Sequence, residues 1–393
     1  MEREIKGDMA EGARQVRGRW LIVLIVMLLI GGCASNGNNP ERGSGKDDIV
    51  IGVGWPLASR NEGLAEGVAM AAEEINSNGG VLGRQIRIES MDDGGTATEG
   101  LAVAGKLAEN SDTVAVIGHR GSSVSIPASA IYEKAGIVML TPGSTSPKLT
   151  QNGYRYVFRM IPSDAEIGER MARYAASQGY KRVAILYADD EYGRGLANAF
   201  EDGGKVHGID TIDRLTGYSD LAELTRLVRE WEALRCDAVF IADVMPAAGR
   251  TVADLRLAGS GLPVLGGDGL DSDELPRTAG AAAEGAVVAS IFNPEDENPE
   301  IARFIADYEA KYGAKPGKWA AQGYDAVRLL ADAIARANSA KPADIAQALR
   351  DTKAWAGVTG SHAFDDDGEL TGKPIVLKTI MNGHFQYSDG QEG

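Results

Sequence analysis

Two cysteines in 393 residues, Cys33 and Cys236, leave little room for disulfide or thiolate chemistry. Cys33 belongs to a processing signal described below, so the mature chain keeps Cys236 alone and cannot close an internal disulfide. Cys236 stands beside the apolar run Ala238 to Ala242 and reads as a small buried residue, not a nucleophile. The Gly-x-Ser-x-Gly elbow, the His-Glu-x-x-His helix and the P-loop are all missing. Gly52-x-Gly54 lacks a third glycine and runs straight into Pro56, which removes a dinucleotide fingerprint. His119 has no His or Cys partner at metal-ligand spacing, and Phe364 to Glu369 lacks the spacing of a calcium loop, reading instead as an acidic turn between strands. Positive charge is also short, with 40 basic against 56 acidic residues and a net charge of -16, which argues against nucleic acid and anionic membrane surfaces as partners. The chain therefore reads as a binding protein, not an enzyme, with no cofactor and no metal.

What is present begins with a processing signal. Arg14, Arg17 and Arg19 precede the apolar run Trp20 to Ile30, too short to span a bilayer but suited to a signal-peptide core. Ile30-Gly31-Gly32-Cys33 follows, and it resembles a bacterial lipobox. The resemblance implies a signal peptide over 1–32, cleavage before Cys33 and a lipid anchor on its thiol, with the protein held on the extracytoplasmic side of a bacterial membrane. Residues 33–48, rich in Asn, Gly, Ser and charge, read as a flexible tether.

The rest of the chain is organised around Val116 to Thr145. Twice within it a short apolar run, the pattern of a parallel strand buried on both faces, ends in a loop of glycine and hydroxyl residues. The first loop leads through Gly121, Ser122 and Ser123 into a helix, and the second is Gly143-Ser144-Thr145. In an open parallel sheet such loops lie side by side at the carboxyl ends of the strands, where ligands bind and a helix start offers unpaired N–H groups. A small polar or anionic ligand is implied, although the same serines could serve as simple N-caps.

Strands and helices alternate through the remainder. The stretches Ile49 to Val53, Arg182 to Tyr187, Ala238 to Ala242 and Ala286 to Ile291, mostly apolar, predict buried strands. Helical spacing predicts helices at 165–178, 299–312, 320–337 and 342–350, and Asn382-Gly383 predicts a closing hairpin. A new series begins near Ser163. The fold class is thus α/β, with two doubly wound parallel-sheet lobes and a hinged cleft between them. The expected division is 49–163 plus 291–373 for the N-terminal lobe and 164–290 plus 374–393 for the C-terminal lobe.

Taken together, Gly118-His119, Ser122-Ser123, Pro127-Ala128-Ser129, Ala135-Gly136-Ile137, Thr141-Pro142 and the stretch Asp189 to Gly195 resemble the substrate-binding proteins of branched-chain amino-acid ABC transporters. The likeness implies a type I periplasmic binding fold from Ile49 onward, a small-molecule ligand such as an aliphatic amino acid, and an ABC permease as partner to a monomeric receptor. It gives Ser122, Gly143, Ser144 and Thr145 the ligand's carboxylate and ammonium, lays Tyr192 over the ligand, and faces the ammonium with Asp268. Asp164 matches a further acid at the lobe crossing. The first loop departs from the family's Pro-Leu-Ser-Gly pattern, with Trp55 and Arg60 nearby. Val244 replaces an aromatic, and Gly95 and Gly121 stand where the family often has a disulfide. Two function classes remain open at this point: a solute receptor for a permease, and an envelope regulator that uses the same fold to bind proteins.

Overall fold

A computed structural model describes residues 42–45 and 47–387, so the signal peptide, Cys33 and most of the tether lie outside the described residues. Arg42 is already docked on the body of the protein. Its guanidinium donates to the carbonyls of Ala108, Asn110 and Thr113, so ordered packing starts before Ile49.

The first lobe is built on a five-stranded parallel sheet in the order β2-β1-β3-β4-β5. The strands are β1 (Ile49–Trp55), β2 (Ile86–Asp92), β3 (Thr113–Gly118), β4 (Val138–Thr141) and β5 (Val157–Arg159). Side chains on successive strand residues point to opposite faces, so an unbroken apolar run needs cover on both. One face, through Ile51, Val53, Ile117 and Leu140, meets the helices Leu64–Ser77, Pro299–Tyr312 and Lys318–Ala337. The other, through Val116, Met139 and Val157, meets the helices Ala97–Glu109 and Ser122–Ala135.

The second lobe repeats the plan. Its seven-stranded sheet has the order β15-β14-β10-β9-β8-β6-β7. The parallel part comprises β6 (Arg182–Tyr187), β7 (Asp210–Leu215), β8 (Ala238–Ala242), β9 (Val264–Gly266) and β10 (Val287–Ser290). The hairpin β14 (Val376–Met381) and β15 (His384–Tyr387) adds antiparallel to β10. Val183, Ile185, Phe240 and Leu265 face the helices Asp164–Ser177 and Glu191–Val206, while Ala184, Leu186, Val239 and Ile241 face Leu221–Ala233 and Ala247–Leu257. A small antiparallel sheet of β11 (Trp355–Gly357), β12 (Gly360–Phe364) and β13 (Leu370–Thr371) precedes that hairpin in the chain, and the acidic turn Asp365 to Gly368 joins its last two strands.

The chain passes between the sheets three times: from β5 into the helix Asp164–Ser177, from β10 into the helix Pro299–Tyr312, and from β13 into β14. With two sheets each covered on both faces, this is the type I periplasmic binding fold. The carboxyl ends of both sets of parallel strands meet in the middle.

Candidate functional site

Loops after β3, β4, β5, β6 and β9 converge there on one buried cluster. Ser122 opens the helix that follows β3, where the first N–H groups lack intrahelical partners and the helix dipole is positive. Its hydroxyl oxygen accepts from the Ser146 N–H at 3.2 Å, leaving its own proton to donate elsewhere.

Gly143, Ser144 and Thr145 form the loop after β4. A Cβ on residue 143 would lie 2.7 Å from the Arg120 carbonyl and 3.0 Å from the Trp55 ring, so the close approach requires glycine. Ser144 is fully engaged in the protein. Its N–H donates to Thr141 Oγ1 at 3.1 Å, and its hydroxyl lies 3.3 Å from the His119 carbonyl and against Ser125 Oγ. The same carbonyl accepts from Ser125 and Thr141, so three hydroxyls tie the end of β3 to the end of β4. The His119 ring is itself satisfied by Asp93 at 2.5 Å and Tyr132 at 3.0 Å, a structural role. Ser144 thus shapes the loop, and Thr145 is the member of the trio whose side chain is left over. Thr145 Oγ1 is buried with no hydrogen-bond partner.

Asp164 lies beside it as the first residue of its helix, with its N–H donating to the Thr145 carbonyl at 2.8 Å. The helix end is already capped by the reciprocal pair Ser163 and Glu166, so the Asp164 carboxylate has no capping duty. Both its oxygens are buried and unpartnered. Gly195 leaves space for them, since a Cβ there would stand 2.7 Å from Oδ2. Burial pushes the Asp164 carboxyl well above the usual carboxylate range; the neighbouring Thr145 hydroxyl and Arg159 oppose the rise, while Asp268 and Glu191 add to it. The Thr145 hydroxyl is close enough to be felt without meeting hydrogen-bond geometry.

From the second lobe, Tyr192 stands in the first turn of the helix Glu191–Val206, which Asp190 caps. Its hydroxyl donates to Asp268 Oδ1 at 2.9 Å and accepts the Gly269 N–H at 2.9 Å. Burial raises the pKa of Asp268, against the pull of Lys318 and the Tyr192 hydrogen bond. All seven residues singled out in the sequence therefore share one cluster, but Asp268 already has partners inside the protein and Asp164 does not.

Three residues of this cluster escape the sequence reading. Trp319 meets Trp55 edge to face with ring centroids 5.3 Å apart, the Arg120 guanidinium lies 5.2 Å from the Trp319 ring, and Lys318 Nζ donates to the Asp268 carbonyl. One signal was available: Lys318 is the first residue of its helix, a place where a cation opposes the dipole and needs another reason to be kept. Among the described residues, eight buried side-chain N or O atoms lack a hydrogen-bond partner, and six belong to Trp55, Arg120, Thr145, Asp164 and Trp319. Folded interiors satisfy nearly all such atoms, so their concentration here sets the cluster apart from the rest of the core. The cations around it are taken. Arg120 pairs with Glu62, Lys148 with Glu191, Arg159 with Glu369, and Lys378 with Asp271.

Elsewhere, Cys236 is buried and its thiol donates to the Ala238 carbonyl at 3.2 Å, as expected for a packing residue. No helix among the described residues is long and apolar enough to cross a membrane.

Two α/β lobes with a polar cluster enclosed at their strand ends define a periplasmic binding architecture. The chain belongs to the periplasmic binding protein family, whose match spans residues 53–381. It is 32% identical to the leucine-specific-binding protein of Salmonella typhimurium, over 84% of this chain and 90% of that protein. It is 31% identical to an amino acid binding protein of Pseudomonas aeruginosa, over 84% and 89%. Among solved structures it resembles the ABC transporter substrate-binding protein of Desulfitobacterium hafniense in complex with Leu, with 43% identity, a TM-score of 0.81, and 87% of this chain and all of that one covered.

Proposed function

We propose that this protein is an extracytoplasmic receptor that encloses an amino acid with an apolar side chain between its lobes and hands it to an ABC permease. The observation that carries the reading is the Asp164 carboxylate, buried and unpaired next to Thr145, whose hydroxyl is also unpartnered and whose neighbour Ser146 is hydrogen-bonded to Ser122 at the start of the helix Ser122–Ala135. A buried carboxylate without a partner is costly, and an ammonium group supplies the missing charge. The Ser122 hydroxyl and the helix-start N–H groups suit a carboxylate. An α-amino acid carries both groups on one carbon. Trp55 and Trp319 provide aromatic surface for its side chain, and the leucine complex of the Desulfitobacterium relative supports an aliphatic ligand.

On this reading, 49–163 plus 291–373 and 164–290 plus 374–393 move as two bodies about the three crossings, and the receptor works as a monomer. Cys33 carries a lipid that keeps it at the membrane, so Cys33→Ala releases the protein into the soluble envelope fraction. A wild type already found there would contradict the anchor. The function is tested by calorimetric titration of aliphatic, aromatic and polar amino acids into protein stripped of copurified solute. Tightest binding by an aliphatic amino acid is expected; failure of every amino acid to bind would overturn the reading.

A further inference from the structure

We infer that Lys318 is an interlobe latch, the residue that fastens the lobes over the bound solute and positions the Asp268 loop, an inference that rests on the receptor reading above. Lys318 begins the longest helix of the first lobe, yet its amino group reaches into the second. It donates to the Asp268 carbonyl and lies 3.7 Å from Asp271 Oδ2, with only 7% of the residue exposed. Nothing local favours a lysine there: the position is at the positive end of the helix dipole, and burial of an ammonium is expensive without anionic partners.

Those partners are assembled in advance by the second lobe alone. Asp271 accepts from Lys378 Nζ at 2.7 Å and from the Ser290 hydroxyl at 2.7 Å, both on strands of its own sheet. Burial acts to raise the Asp271 carboxyl, but Lys378, Lys318 and Ser290 outweigh it and hold its pKa below the usual value. When the lobes part, Asp271 therefore keeps a counter-charge and Lys318 returns to water, so neither charge is stranded and the contact can open and close. The latch is also wired to the ligand. The Lys318 amino group lies 4.7 Å from the ring of Trp319, which packs on Trp55 and Arg120 beside Gly143, and the Asp268 it holds receives the Tyr192 hydroxyl. Truncating one partner of a buried charged contact acts mainly on dissociation.

The test compares wild type, Lys318→Met and Lys318→Arg by hydrogen–deuterium exchange over 266–272 and 317–322, with and without leucine, and by stopped-flow kinetics of leucine. In Lys318→Met both segments are expected to lose protection together while the sheets keep theirs. Leucine should leave about tenfold faster, with association changed by less than about threefold, and Lys318→Arg should restore most of the difference. Unchanged protection and unchanged dissociation overturn the latch, as does a loss of affinity that lies in association. If wild type binds no amino acid, the receptor reading fails separately and the exchange comparison alone decides the latch. If Lys318→Met loses protection throughout, Lys318→Gln takes its place under the same criteria.

Discussion

The backbone N–H of Asp164 donates to the Thr145 carbonyl at 2.8 Å, tying the first turn of the second lobe to the loop that ends β4 in the first. The side chains of the same two residues are buried next to each other without hydrogen-bond partners. Main chain and side chain thus divide the work, with the backbone fixing the crossing and the polar tips left for a ligand.

Thr145→Val keeps the shape of the side chain and removes the hydroxyl. Because that hydroxyl has no partner in the protein, stability should change by less than about 1 kcal/mol. Its hydrogen bond to a charged ligand group is worth about 1.5 to 3 kcal/mol, so affinity should fall by roughly one to two orders of magnitude. Calorimetry and urea unfolding on the same variant separate the two. Large destabilisation with little loss of affinity would show that Thr145 belongs to the core instead.

Much of this arrangement was legible in the sequence, and the misses have physical causes. The strands β1, β3, β4, β6 and β8 carry unbroken stretches without a charged or polar residue, interrupted only at an end by Thr113, Thr141 or Arg182, because both faces of each sheet are covered, and such stretches can be read directly. β7 is an edge strand whose residues are only partly buried, so Asp-Thr-Ile-Asp-Arg-Leu carries too few apolar positions to stand out. β5 hides differently. Its third residue is Arg159, fully buried, and a charge inside a strand that short breaks the apolar pattern. At the site, the strand-end loops announced themselves through glycine and hydroxyl residues, but Lys318 and Trp319 are brought in by the second crossing from about 200 residues farther along the chain. The division of labour between the two acids was likewise invisible, since it depends on Tyr192 and Lys318 bonding the Asp268 residue and on the Asp164 carboxylate oxygens being left without a hydrogen-bond partner.

Arg159 illustrates what a buried charge demands. Its guanidinium donates to Glu369 Oε1 at 2.9 Å and to the Ser146 carbonyl at 2.6 Å, and it also meets Glu369 Oε2. Burial lowers its pKa to about 10, which leaves it charged at neutral pH. Glu369→Gln removes the counter-charge and should destabilise the protein by about 1.5 to 3 kcal/mol in urea unfolding. A change below about 0.5 kcal/mol would contradict this account of β5.

Lys373 stands just before β14, at the third crossing, with its buried amino group donating to Thr359 Oγ1 at 2.8 Å and to the Met160 carbonyl at 3.3 Å, and 3.1 Å from His362 Nε2. Burial lowers its pKa to about 7, with Asp325 opposing. An unfolded lysine titrates near 10.4, so between about pH 7 and about pH 10 the unfolded chain holds more protons and stability rises with pH. The slope from this group is at most about 1.4 kcal/mol per pH unit, and below about pH 7 its contribution is constant and least favourable. Lys373→Met should flatten the rise in unfolding free energy between about pH 7 and about pH 9. An equal slope in the variant would show that Lys373 is not the group responsible.

Completion of the Asp164 carboxylate by a ligand ammonium is tested most directly by calorimetric titration of leucine against its deaminated analogue, in wild type and in Asp164→Asn. Wild type should prefer leucine by about a hundredfold or more, as expected when a buried charged group loses its partner. Asp164→Asn should remove most of that preference. Because burial raises the Asp164 pKa and the ammonium requires its ionised form, wild-type affinity for leucine should also fall as pH falls through that raised value, and the variant's should not. Equal binding of leucine and its deaminated analogue by wild type, unaffected by Asp164→Asn, would contradict the account.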